Sequence, residues 1–226
     1  MLGLSMALFL KGMKMKLIIF DFDGTLADTR QLIVETMQQT IAELRLTPCT
    51  DEQCASMIGL PLKQAFTELI PMSDKMGERC VDTYRRIFNV NNAAYVIPTF
   101  PNVIETLHQL STKGYILTIA SSRSRKSLLE FVHTMQLEEI FPYILGADDV
   151  IHAKPHPEPV LRTLEAFGCS PDEALVVGDM KYDIEMGRRA GTRTCGVTYG
   201  NGSPQELKEA GADYLLDSFD EILTVV

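Results

Sequence analysis

The chain has 226 residues, 46% of them apolar and 23% charged, with 21 Lys+Arg against 30 Asp+Glu. That composition excludes disordered, collagenous and coiled-coil chains, and a net charge of -9 lacks the basic footprint of a nucleic-acid binder. The five cysteines are odd in number and none shows C-x-x-C spacing, so neither a disulfide framework nor a zinc site is expected, and a reducing, cytoplasmic setting is the simplest reading.

Residues 1–12 open on an apolar stretch whose lysines, Lys11, Lys14 and Lys16, follow it instead of preceding it, unlike a signal peptide. They read as an extension upstream of Met13 or Met15, with a weak membrane-surface role as the alternative. No other stretch approaches the roughly 20 apolar residues of a membrane helix.

Beyond the extension, short apolar runs alternate with helical patterns. The runs are 17–20, 115–120, 143–145, 174–177, 194–197 and 214–216; the helical patterns are 101–113, 124–135, 157–167, 182–190 and 218–223. Runs without polar alternation suit strands covered on both faces, so the order predicts a doubly wound parallel α/β sheet of Rossmann-like type. Gly114, Gly168 and Gly191 stand where helices should stop. Residues 28–94 break the alternation. Pro48, Gly59-Leu60-Pro61 and Pro71 cut them into about four helices with no strand, which predicts an inserted helical domain. The α/β unit is then 1–27 plus 95–226, hinged near Ala27-Asp28 and between Ala94 and Pro101.

Four polar clusters fall at or just beyond predicted strand ends, where open α/β sheets bind ligands. Asp21-Phe22-Asp23-Gly24-Thr25 pairs two carboxylates that a cation would reconcile; alone, it also reads as a turn with a helix cap. Ser121-Ser122-Arg123 offers a hydroxyl and exposed N–H groups to a phosphate, or simply caps the next helix. Lys154-Pro155-His156-Pro157 presents a compact positive charge on a stiffened backbone, or a surface lysine before a helix. His152 and His156 read as solvent-facing or capping residues, since two histidines alone do not make a zinc site. Asp179 and Asp183, four apart, are suited to a hard cation such as Mg2+, or to the dipole of a helix start. Together they supply the acids, hydroxyl and lysine of phosphoryl transfer.

Asp21-x-Asp23-Gly24-Thr25, Ser121, Lys154-Pro155 and Gly178-Asp179-x-x-x-Asp183 resemble, in order, the four motifs of the haloacid dehalogenase-like hydrolases. The helical insertion resembles the C1-type cap of that superfamily. Lys154-Pro155-His156-Pro157-Glu158-Pro159, Asp179 through Gly191, and Ile58-Gly59-Leu60-Pro61 are similar to the phosphoglycolate phosphatase group, which includes a related pyrophosphatase. Pro101-Asn102-Val103 departs from that group's usual Pro-Gly-Val, and Ser121-Ser122 from its common Thr-Asn.

The resemblance implies a Mg2+-dependent phosphatase of a small phosphorylated metabolite, 2-phosphoglycolate first, with pyrophosphate, a sugar phosphate or a mutase reaction as alternatives and a non-catalytic phosphometabolite-binding regulator as the remote one. Asp21 would be the nucleophile and Asp23 the acid-base. Ser121 and Lys154 would hold the phosphoryl oxygens. The metal would sit on Asp21, Asp179 and the backbone carbonyl of Asp23, with Asp183 orienting metal-bound water or Lys154. Thr25 is expected near Asp23 and, with Gly59, Lys63, Ser122 and Arg123, is a candidate substrate contact. Asp23 argues against a true dehalogenase. Monomer and homodimer both stay open.

Overall fold

The computed structural model describes residues 15–94 and 97–226; the extension 1–12 and the 94/95 boundary fall largely outside them. Among the described residues a six-stranded, all-parallel sheet has the order β3-β2-β1-β4-β5-β6. The strands are β1 (Leu17–Phe20), β2 (Ile116–Ala120), β3 (Tyr143–Leu145), β4 (Ala174–Gly178), β5 (Arg193–Val197) and β6 (Tyr214–Leu216). Every residue of β1 and β4 is buried, as strands covered on both faces must be. β1 lies in the middle, with Phe20 opposite Ile119 of β2 on one side and Val177 of β4 on the other. The chain order reverses direction there, and side chains leaving β1, β2 and β4 at their carboxyl ends meet over one crevice.

Between β1 and β2 lie α1 (Arg30–Glu43), α2 (Asp51–Ala55), α3 (Leu62–Leu69) and α4 (Asp74–Ala94), the four helices expected of the insertion, followed by α5 (Val103–Thr112). The prolines fall in the breaks between them. Thr50 caps α2 by accepting from Gln53 N (3.2 Å), while Gln53 returns a carboxamide oxygen to Thr50 N (2.8 Å). Phe66, Tyr84 and Phe88 are buried, with Tyr84 stacked on Phe88 at 5.8 Å. Each such ring contributes about 1.5–3 kcal/mol on burial. The exposed Arg86–Glu43 pair adds at most about 1 kcal/mol, so aromatic packing holds α4 in place. The two chain crossings into the insertion run side by side, with Asp28 N donating to Pro98 O (2.9 Å) and Phe100 N to Leu26 O (3.2 Å).

The remaining helices are α6 (Arg125–Thr134), α7 (Glu158–Phe167), α8 (Lys181–Ala190) and α9 (Pro204–Glu209). Gly168 and Gly191 close α7 and α8 in left-handed conformations, as expected. Three details differ from the sequence reading. The 101–113 pattern becomes helical only at Val103, because Asn102 takes φ +65° and hydrogen-bonds Asp220 (2.9 Å). The 218–223 pattern is a 3-10 helix, Phe219–Thr224. Helix α9 was not expected, although Ser203 and Glu206 form its capping box. No helix among the described residues is long and apolar enough to cross a membrane.

Candidate active site

Asp21 emerges from β1 while its own N–H still donates to Val177 O of β4 (2.8 Å). Ser121 emerges two residues past Ile119, just beyond the end of β2, held by its N–H on Leu145 O of β3 (3.0 Å). Lys154 arrives from the loop between β3 and α7. Its Nζ lies 2.6 Å from Asp21 Oδ1 and donates to Asp183 Oδ1 at 2.6 Å, with all three side chains essentially removed from water. Burial by itself would strip the lysine of its charge; Asp183 and Asp21 outweigh that and hold it protonated. Asp183 also accepts Met180 N (3.0 Å) at the start of α8.

Asp179, fully buried at the end of β4, is fixed from two sides. Its Oδ2 accepts Asn201 N (2.7 Å) and Asn201 Nδ2 (3.0 Å), and its Oδ1 accepts the Thr25 hydroxyl (3.1 Å). Gly24 explains how the chain can approach so closely: at φ +84° a Cβ would fall onto Asp179 Oδ2, so only glycine fits. Burial, then the neighbouring Asp183, push the Asp179 carboxyl up to about 7, against the hydrogen bonds from Asn201 and Thr25. Burial raises Asp21 well above its ordinary range, opposed by Lys154 and reinforced by Asp183, Asp179 and Asp23.

One carboxylate oxygen from each of Asp21, Asp179 and Asp183 falls in a group no wider than 4.8 Å. Asp21 Oδ2 is buried with no hydrogen-bond partner. Buried charged oxygens rarely go unpartnered. An orphaned oxygen on a residue of an all-carboxylate donor set fits a hard cation such as Mg2+ and does not fit zinc.

The Asp23 carboxylate faces elsewhere. Arg123 Nε donates to its Oδ2 (3.0 Å), Arg123 Nη2 pairs with Oδ1, and Thr29 Oγ1 donates to Oδ1 (2.7 Å). This leaves only the backbone carbonyl of Asp23 for the metal role that the sequence resemblance implied. Thr25 was expected beside Asp23, and the structure corrects this. The turn closed by Gly24 N on Ala27 O (2.9 Å) carries Thr25 over to Asp179, and Thr29 takes the place at Asp23.

Ser122 donates its hydroxyl to Gly59 O (2.6 Å), tying the insertion to the strand-end loops, and a Cβ on Gly59 would meet Met180 at 3.4 Å. Lys63 is spent within the insertion: it pairs with Asp74 (2.5 Å) and Glu78 (3.5 Å), bracing α3 against α4. The rings of His152 and His156 lie tilted at 31° with centroids 4.4 Å apart beside Glu158, whose carboxylate accepts Ile151 N and His152 N at 2.9 Å each, an array that braces the loop ahead of α7.

Three residues of the site escaped the sequence reading: Thr29, Asn201 and Tyr199, whose hydroxyl donates to Thr25 O (2.9 Å). Asn201 and Tyr199 follow β5. Its carboxyl end opens on the same crevice, which is the signal that would have found them.

The family model described as haloacid dehalogenase-like hydrolase matches residues 18–197. The chain belongs to this family. Pyrophosphatase PpaX of Oceanobacillus iheyensis is 32% identical over 95% of the chain and 98% of its own length, and that of Anoxybacillus flavithermus is 31% identical over the same shares. A haloacid dehalogenase-like hydrolase of Bacteroides fragilis superposes with a TM-score of 0.87 at 28% identity, covering 92% of this chain and 99% of that one. A predicted phosphoglycolate phosphatase of Haemophilus somnus gives 0.84 at 25%, covering 95% and 99%. The four motifs of this haloacid dehalogenase-like hydrolase thus sit on a matching fold, and the protein is a hydrolase of the phosphatase type.

Proposed function

We propose that this site is a Mg2+-dependent phosphatase centre for a small phosphorylated compound, with pyrophosphate as the leading substrate and 2-phosphoglycolate as the second. The observation that carries the reading is Asp21: buried, with one oxygen held by Lys154 and the other without a partner. The names of the curated relatives, matched along 95% of the chain, favour pyrophosphate. The Haemophilus somnus neighbour and the Lys154–Pro159 stretch favour phosphoglycolate.

Asp21 attacks phosphorus, an Asp21 O–P bond forms as the bond to the leaving oxygen breaks, and an aspartyl-phosphate results. Lys154 and Ser121 offset charge on the equatorial oxygens. Asp23 delivers a proton to the leaving oxygen, then takes one from the water that cleaves the aspartyl-phosphate. Asp183 keeps Lys154 charged and aimed. Asp21, Asp179 and the carbonyl of Asp23 would hold Mg2+, which when bound screens the repulsion between carboxylate and phosphate. Through the Ser122–Gly59 contact the insertion covers the crevice and keeps bulk water from the aspartyl-phosphate.

The test is phosphate release from pyrophosphate, 2-phosphoglycolate and hexose phosphates, with Mg2+ and with chelator. Mg2+-dependent release is expected, lost by at least about a thousandfold in Asp21→Asn while thermal unfolding shows the fold intact. Full turnover by Asp21→Asn, or no release from any of the panel, overturns the reading.

A further inference from the structure

Arg123 is the second cation whose side chain is almost wholly withdrawn from water at this site, at 7% exposed. Its guanidinium lies 4.8 Å from the Phe131 ring centre, 4.9 Å from Phe88 and 6.0 Å from Phe22. Phe88 belongs to α4 of the insertion, and the other two rings to the α/β unit. An aromatic lining of this kind keeps a planar cation in place while screening it little, so its hydrogen bonds are strong. Beyond the two bonds to Asp23, Nη1 donates to the Ser127 hydroxyl (3.2 Å). These contacts use three of the five guanidinium N–H groups, which leaves two without a protein acceptor among the described residues.

Position gives the guanidinium a use. In-line displacement puts the leaving group on the far side of phosphorus from Asp21. Lys154 stands at Asp21, on the side of the transferred phosphoryl group. Arg123 stands at Asp23, the residue that serves the leaving oxygen in the proposed reaction. The two buried cations therefore face the two ends of the substrate.

We infer that Arg123 is a specificity-determining residue that binds an anionic group carried by the leaving group, taking it with the fork that otherwise holds Asp23. The substrate class is short phosphoryl compounds with a second acid, phosphate or carboxylate, within a few bonds of the reacting phosphorus. Such an anion replaces Asp23 as the partner of a planar, two-pronged donor, and without the guanidinium beside it the Asp23 carboxyl can hold the proton that it gives to the leaving oxygen. A substrate with an uncharged leaving group leaves the Arg123–Asp23 pair closed. The inference deepens the phosphatase reading above and rests on it for which end of the substrate is which.

The experiment compares wild type, Arg123→Gln and Arg123→Lys in Mg2+ buffer. The kinetic arm measures kcat/KM for pyrophosphate, 2-phosphoglycolate and phenyl phosphate. The wild type should prefer the two substrates with an anionic tail, and that preference ratio should fall about 10- to 100-fold in Arg123→Gln, the range of a hydrogen bond to a charged group. Arg123→Lys should recover part of it. The binding arm titrates methylenediphosphonate and methylphosphonate by calorimetry and needs no turnover. The diphosphonate should bind more tightly to wild type, and the advantage should collapse in Arg123→Gln. Unfolding curves confirm that each variant is folded, and should Arg123→Gln not fold, the Arg123→Lys ratios decide. A preference ratio that survives in the folded variants, in either arm, overturns the inference. A wild type that hydrolyses none of the three overturns the phosphatase reading instead, and the calorimetric ratio still judges Arg123.

Discussion

Removing divalent metal should make this protein more stable as the solution is acidified from pH 8 to pH 6, the reverse of ordinary acid destabilisation. The Asp179 carboxyl sits at about 7 in the folded chain against an ordinary value of 3.8, because burial first and Asp183 second oppose its charge. A group whose folded value is raised takes up a proton on folding. Its full penalty is present above pH 7 and is relieved as the pH falls from 7 towards 3.8. Between pH 8 and 6 the relief is on the order of 1 kcal/mol by linkage, or a few °C in Tm for a chain of this size. Asp21, raised by burial and three neighbouring acids despite Lys154, acts with the same sign. Glu158 and Glu173, both lowered to about 2, titrate below this window. The assay is calorimetric unfolding in chelator across pH 6–8, repeated in saturating Mg2+, which binds the ionised acids and should flatten or invert the slope. A metal-free Tm that falls towards pH 6, or one slope with and without Mg2+, refutes the reasoning.

Two further outcomes follow from the same contacts. Lys154→Met leaves Asp21 and Asp183 buried without their cation and should cost about 3–5 kcal/mol in denaturant unfolding, with partial recovery in Mg2+; a loss below about 1 kcal/mol, in the range of exposed pairs, would contradict the buried-pair account. Asn201→Ala removes one of two donors on Asp179 Oδ2 and should weaken Mg2+ binding about tenfold by calorimetry, an effect that an unchanged Kd would exclude.

What could be read in the sequence was what is local. Leu17–Phe20, Tyr143–Leu145 and Tyr214–Leu216 are unbroken apolar runs and became strands with those bounds. Asp21, Ser121 and Asp179 stood out because each closes an apolar run with a polar group, and Lys154 because prolines flank it in the Lys154-Pro155-His156-Pro157 stretch. The partner of each polar atom was harder to read. Thr25 and Thr29 are both hydroxyls just past Asp23, and only the turn at Gly24 decides that the first serves Asp179 and the second Asp23. Asn201 lies in Gly200-Asn201-Gly202-Ser203, which reads as an ordinary turn; its bond to Asp179 spans 22 residues and leaves no periodic trace. For Lys63, a candidate substrate contact in the sequence, the structure adds what the sequence left unread: Asp74 and Glu78, across the next break, pair with it.

Charge accounting links these contacts to the reaction. Asp23 is balanced by Arg123, a pair that is neutral in itself. The other three acids, Asp21, Asp179 and Asp183, share one ammonium, Lys154, which touches two of them. Fully ionised, that half of the site carries two uncompensated negative charges in a place water does not reach, a cost of several kcal/mol per charge. A divalent cation would remove the deficit, whereas a monovalent one would only halve it. The raised carboxyl of Asp179 is the same deficit expressed as proton affinity. The site is thus least at ease with neither metal nor proton present, and that imbalance is what the proposed divalent cation would answer.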